Sequence, residues 1–102
     1  MHIITKKRIQ QYCNEYPDAS SAILTWYQYV KRVRWEKLPD VREFSNSVDF
    51  IEDARFVFNI MRNRFRLIVD IYYANGENDG TVLIRWFGTH KEYDRINVRL
   101  VK

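Results

Sequence analysis

Two apolar segments flank Arg62-Asn63 in mirror order, and their pairing constrains the fold more than any other feature of the chain. If Arg62-Asn63 is a two-residue hairpin turn, Ile60 faces Phe65, Phe58 faces Leu67 and Phe56 faces Val69. All six side chains are apolar, and because strand side chains alternate with period two, they share one face. The other face then pairs Asn59 with Arg66, Val57 with Ile68 and Arg55 with Asp70. A slip of one residue would send the whole apolar set to the wrong side, so this register is strongly specified. The next turn falls within Asn75-Gly76-Glu77-Asn78-Asp79-Gly80, which is rich in residues that tolerate positive φ. Aligning Val82, Ile84 and Trp86 with Tyr73, Ile71 and Val69 continues the apolar face. That alignment sets Arg85 beside Asp70 and Thr89 beside Arg66.

The N-terminal half reads differently. Met1 to Ile4 suit a short strand, and Thr5 can cap a helix through its hydroxyl. Ile9, Tyr12, Cys13 and Tyr16 recur at helical spacing until Pro17 ends the run. Asp18 can cap a second helix carrying Ile23, Trp26, Tyr27, Val30 and Val33 on one face. Lys31, Arg32 and Arg34 lie in its last turns, where cations suit the negative end of the helix dipole. The short joint predicts an antiparallel helical hairpin. Residues 35–53 hold no sustained period and include Pro39, so they read as a loop. The expected fold is α+β in the order β-α-α-β-β-β, an antiparallel sheet with the two-helix hairpin on one face. Residues 1–102 form a single domain.

Composition excludes several classes. Hydrophobic content of 46% with 16% aromatics argues against disorder. No apolar run approaches the roughly 20 residues needed to span a membrane, and the start is too short for a signal-peptide core, so a cytoplasmic protein is expected. The single cysteine, Cys13, cannot form an internal disulfide, which agrees with a reducing compartment, and it falls on the apolar stripe of the first helix. One Cys and two distant His give no metal-ligand spacing. Only three glycines are present, and none builds a phosphate loop. Ser20, Ser21, Ser45 and Ser47 lack a matched base. No cofactor is expected.

Charge points to a polyanion. Residues 1–53 hold eight Lys/Arg and eight Asp/Glu, whereas residues 54–102 hold nine against five and carry the whole excess of +4. Arg55, Arg62, Arg64 and Arg66 occur there with no acid among them. A one-sided basic surface is the electrostatic footprint of a nucleic-acid partner.

The apolar strand Thr81 to Phe87 runs into Gly88-Thr89-His90-Lys91-Glu92-Tyr93-Asp94, where imidazole, ammonium, phenol and carboxylate crowd a strand end. Such ends are where sites sit, because the sheet fixes the backbone while side chains reach solvent. Taken with Phe58-Asn59-Ile60, Asn63 and Arg66-Leu67, the segment Gly88-Thr89-His90 with Glu92-Tyr93-Asp94 resembles the C-terminal half of HigB-type toxins. These are small bacterial RNA-cleaving proteins of the RelE superfamily. One departure is Arg62, where the family has Gly at a turn that favours positive φ.

The resemblance implies an endoribonuclease, the toxin of a type II toxin–antitoxin pair, that cleaves mRNA on the ribosome. It implies a partner, a helix-turn-helix antitoxin of the HigA type, and an RNA site on the sheet side away from the helices. The expected reaction needs no metal: the 2′-hydroxyl attacks the adjacent phosphate and leaves a 2′,3′-cyclic phosphate. Arg66 suits the transition-state charge, by a two-oxygen grip on the phosphate, unless it pairs with Asp70, for which Arg55 and Arg85 are better placed. His90 suits proton transfer, since imidazole titrates near neutrality; the plainer alternative is a capping or solvated residue. Tyr93 can stack a base, bond the phosphate or move a proton, and Lys91 can add charge. Glu92 and Asp94 suit orienting or capping roles. Asn59, Arg62, Arg64 and Arg85 are the candidate RNA contacts. A non-catalytic RNA- or protein-binding module on the same fold explains the basic half and the aromatics equally well. A DNA-binding domain is the weaker third reading, because no helix-turn-helix pattern is present.

Overall fold

The computed structural model describes residues 1–102. The chain forms β1 (His2–Ile4), α1 (Lys6–Glu15), a 3-10 turn (Pro17–Ala19), α2 (Ser20–Arg32), α3 (Leu38–Phe44), β2 (Asp49–Glu52), β3 (Arg55–Ile60), β4 (Phe65–Tyr72), β5 (Thr81–Thr89) and α4 (His90–Tyr93). The strands make one sheet in the order β1-β5-β4-β3-β2. The α+β class stands, but β1 pairs in parallel with β5, so the sheet is mixed. A parallel neighbour requires a crossover, and here everything from α1 to β4 lies between the two strands. No helix is long and apolar enough to cross a membrane.

The first hairpin has the register that its mirror pattern predicts. Ile60, Phe58 and Phe56 lie opposite Phe65, Leu67 and Val69, while Asn59, Val57 and Arg55 lie opposite Arg66, Ile68 and Asp70. The first set joins Ile71, Val82, Ile84 and Phe87 in one buried cluster with Ile9, Ile23, Trp26, Tyr27 and Val30 of the helices. Arg64 N–H donates to the Met61 carbonyl at 3.2 Å across the turn. Met61 and Arg62 both have positive φ, 53° and 61°. Arg62 therefore sits in the left-handed region that a glycine would occupy without strain.

The second hairpin departs from expectation. Val82 pairs with Ile71 and Ile84 with Val69; a bulge then leaves Arg85 unpaired, and Trp86, Phe87 and Gly88 pair with Ile68, Leu67 and Arg66. A bulge adds one residue to one strand and so exchanges the faces beyond it. Phe87 thus enters the core, stacked on Phe65 at 5.3 Å and 12°, and Trp86 is delivered to the opposite face rather than packed under the helices. Thr89 lies opposite Phe65, not Arg66. Trp86 and Phe87 are adjacent large aromatics, so alternation alone could not choose between them.

Three smaller corrections concern the N-terminal half. Residues 35–53 hold α3 and β2 rather than a loop. Pro39 starts α3 instead of breaking it, since the first helical turn needs no N–H partners. Buried Val41 anchors that short helix, and Phe44 packs edge-on to Trp35 and Phe58 at 5.5 and 6.1 Å. Thr5 is left-handed (φ 72°) and makes no side-chain cap; its hydroxyl exchanges bonds with the Ile84 backbone at 3.2 Å instead. Asp18 falls inside the 3-10 turn, and α2 has no side-chain cap.

On the sheet face away from these helices, Val57 and Ile68 are still only 1% and 0% exposed. α4 lies against β4 and β5 there. The chain beyond α4 is tied down where Arg55 Nη1 donates to the Val98 and Val101 carbonyls at 2.8 and 2.6 Å.

Candidate active site

The second face of the sheet is organised around one buried acid. Asp70, 6% exposed, receives Arg55 Nε at 2.6 Å and Arg85 Nε at 2.7 Å. Burial by itself would raise its carboxyl, but hydrogen bonds and charge from Arg55 and Arg85 outweigh that and hold it below the usual carboxylate range. Both guanidiniums are thereby committed to Asp70. Arg66, on the same face of β4, is left to other partners.

Its partners are informative. Arg66 Nη1 donates to the carbonyls of Asn63 and Phe65, each at 3.1 Å, which fixes the guanidinium over the hairpin end. Nη2 lies 3.0 Å from His90 Nδ1. A guanidinium only donates, so Nδ1 must accept and the neutral ring carries its proton on Nε2. That nitrogen is 3.6 Å from Asp94 Oδ2. The guanidinium carbon also lies 5.9 Å from the centre of the Tyr93 ring. Burial pushes the Tyr93 hydroxyl up, Asp49 and Asp94 add to the effect, and Arg66 opposes it. Tyr93 therefore keeps its proton at neutral pH.

α4 presents His90 and Tyr93 because its first turn is locked. Thr89 N–H donates to Glu92 Oε1 at 2.8 Å and Glu92 N–H donates to Thr89 Oγ1 at 3.1 Å, a reciprocal capping box. Tyr16 adds a third bond, its hydroxyl donating to Glu92 Oε1 at 3.0 Å. The Thr89 backbone bond is the main reason the Glu92 carboxyl is held low. Burial and the Glu92 hydrogen bond push Tyr16 up to about 12. His90 N–H closes the frame on the Arg64 carbonyl at 3.0 Å.

Among the residues singled out in the sequence, Arg66, His90 and Tyr93 converge, with Asn59 half-buried directly across from Arg66. Lys91 is exposed on α4 and bonds to none of them. Arg62 is exposed on the turn. Arg64 is exposed beside it, with its guanidinium 5.6 Å from the Phe65 ring centre and 3.9 Å from the Asp18 carboxylate. Arg85 is drawn to Asp70. Tyr16, through Glu92, and Trp86, through the Tyr93 ring, adjoin this group without a sequence signal that singles them out. Nothing in the sequence near Tyr16 signals a partner 76 positions away, whereas the paired aromatics Trp86-Phe87 before Gly88 could have suggested a change of face.

The family model described as HigB toxin, the RelE-like toxic component of a toxin–antitoxin system, matches residues 19–96. The chain belongs to this family. The match runs from the start of α2 past α4, so every converging residue of the site lies within it and Tyr16 lies outside. This HigB-family chain is 25% identical over 96 residues to the mRNA interferase toxin HigB of Escherichia coli K12, covering 92% of the chain and 88% of that relative. The mRNA interferase HigB proteins of Escherichia coli O157:H7 and Shigella flexneri match it at the same identity and coverage. A toxic component of this kind has an antitoxin as its partner.

Proposed function

We propose that this HigB-family toxin is an mRNA-cleaving endoribonuclease that inhibits translation, acting without a metal. The observation that carries the reading is the convergence of Arg66, His90 and Tyr93: the guanidinium is hydrogen-bonded to the imidazole at 3.0 Å and lies 5.9 Å from the centre of the phenol ring. These are the components that transfer of a phosphoryl group from a 5′-oxygen to a 2′-oxygen requires. Arg66 grips the scissile phosphate and offsets the charge that develops on it. In doing so it releases His90 Nδ1, which takes the proton from the attacking 2′-hydroxyl. Tyr93, which holds its proton at neutral pH, donates to the leaving 5′-oxygen, although the upward shift of its hydroxyl makes it a weaker acid than a free phenol. The products are a 2′,3′-cyclic phosphate and a 5′-hydroxyl.

The exposed cations Arg62, Arg64 and Lys91, together with Asn59, would hold the RNA backbone. Arg85 serves Asp70 and is assigned to the scaffold. So small a catalytic set fits a reaction in which the ribosome aligns the mRNA, since positioning can supply much of the rate. The cognate antitoxin is proposed to be a helix-turn-helix protein of the HigA type, and the site of action the cytoplasm.

The test is induced expression followed by analysis of mRNA ends. The intact chain should arrest growth and leave 2′,3′-cyclic phosphates, while Arg66→Ala and His90→Ala should each lower cleavage about 10²–10⁴-fold with the fold retained. Ends bearing a 3′-hydroxyl would sink the mechanism. No cleavage with or without ribosomes would leave a non-catalytic RNA-binding module as the answer.

A further inference from the structure

The bulge at Arg85 does more than correct the register, because it places an indole in the site. Trp86 is partly exposed on the face that holds Arg66, whereas Trp26 and Trp35 are only 5% and 2% exposed on the helix side. Its six-membered ring lies over Gly88: a Cβ at that position would stand 2.5 Å from Trp86 Cη2 and 2.7 Å from Cζ2. Gly88 is in turn the strand partner of Arg66. The missing side chain at Gly88 is what lets the indole lean along the strand toward the catalytic group. Tyr93 meets it from α4, with ring centres 6.3 Å apart and planes at 51°. Two aromatic rings and the Arg66 guanidinium thus adjoin on one surface, with the guanidinium 5.9 Å from the Tyr93 ring centre.

A large apolar ring left partly exposed beside a phosphate-binding cation has an evident ligand chemistry. Nucleobases stack on aromatic faces, and the sugar-phosphate they carry reaches a neighbouring cation. We propose that Trp86, with Tyr93 beside it, is the stacking site for the unpaired nucleobase adjacent to the scissile phosphate. This rests on the reading of the site as RNA-cleaving, and it adds how a nucleotide is held there. Stacking sets the base, the guanidinium sets the phosphate, and the sugar between them is brought to His90. The role is one of binding and orientation, with no bond made or broken at Trp86.

The test uses the intact chain and a short single-stranded RNA in which fluorine replaces every 2′-hydroxyl, so that cleavage cannot begin. Binding is followed by anisotropy of a label on the RNA and, in parallel, by tryptophan fluorescence. Since Trp26 and Trp35 are buried, quenching on binding should come from Trp86 and vanish in Trp86→Phe, which keeps a stacking ring and should keep the affinity. Trp86→Leu retains apolar cover over Gly88 but offers no π-face, and should weaken binding about tenfold. In the cleavage assay the same variant should raise KM more than it lowers kcat. RNA binding with unaltered fluorescence, or a Trp86→Leu protein that binds as the parent does, would overturn the stacking site and leave the cleavage reading intact. Absence of any RNA binding would likewise overturn the stacking site, while the cleavage reading is decided by the mRNA ends left in the presence of ribosomes.

Discussion

At the scale of single residues, Asp70 and Arg62 show how differently two charged groups bear on the fold. Asp70 sits under two guanidiniums on a face otherwise sealed by Val57 and Ile68. Truncating it strands Arg55 and Arg85 without a counter-charge, and breaking a buried pair from one side typically costs about 3–5 kcal/mol. Asp70→Ala should therefore lower the denaturation midpoint sharply. The sign of the pH effect follows from its lowered carboxyl. A folded value below the ordinary 3.8 means stability fully present above 3.8 and lost as pH falls through the folded value. Acid titration of the parent should show that extra loss of stability below pH 3.8, and Asp70→Asn should remove it. Arg62 presents the opposite case. Its φ of 61° is strained for any side chain, so Arg62→Gly should stabilise the fold by about 0.5–1 kcal/mol in chemical denaturation. The same change removes an exposed cation and should weaken RNA binding.

At the scale of elements, α4 is too short to hold itself together. A helix of four residues cannot repay its nucleation cost, so its geometry comes from the Thr89–Glu92 capping box, the Tyr16 hydroxyl and the Arg64 carbonyl. Thr89→Val keeps the side chain's shape but deletes the cap. It should cost about 1 kcal/mol of stability and about 10–100-fold in cleavage, because small displacements of a catalytic group are expensive in rate. Comparing the melting temperature with the cleavage rate of one preparation checks both halves. Equal retention of activity would mean that α4 is set by packing alone. The β3–β4 hairpin makes the contrasting element, specified by its own alternation. Phe58 lies 1% exposed among Trp26, Trp35 and Phe44, and Phe58→Ala should destabilise by about 3–5 kcal/mol in the same denaturation assay.

At the scale of the whole molecule, the division of labour runs across the sheet. The helix side carries the continuous core; the other carries the Asp70 cluster at one end and Arg66, His90, Tyr93 and Trp86 toward the other. The excess positive charge lies in the half that builds this second face. RNA affinity should then fall steeply as salt rises, because each phosphate contact releases counterions. Titrations between low and moderate salt measure the slope, and a flat response would remove the electrostatic part of the account. Adding the antitoxin should suppress RNA binding if it covers this face.

The sequence alone determined the first hairpin, its register and its two faces, since one strand's period-two pattern admits a single match to the next. It also determined that Asn59 and Arg66 face each other, and through the resemblance it singled out Arg66, His90 and Tyr93. What it could not determine depends on contacts between distant segments. Thr5 had the residue type of a cap, yet its hydroxyl was claimed by Ile84, 79 positions away. Residues 38–44 were too few to show a helical period, and only the burial of Val41 and the docking of Phe44 against Trp35 and Phe58 made them a helix. Whether Trp86 or Phe87 would enter the core was decided by a bulge that local alternation cannot encode. Tertiary packing chose Phe87, whose ring fits between Phe65, Tyr12 and Tyr16, and that choice left the larger indole facing the site.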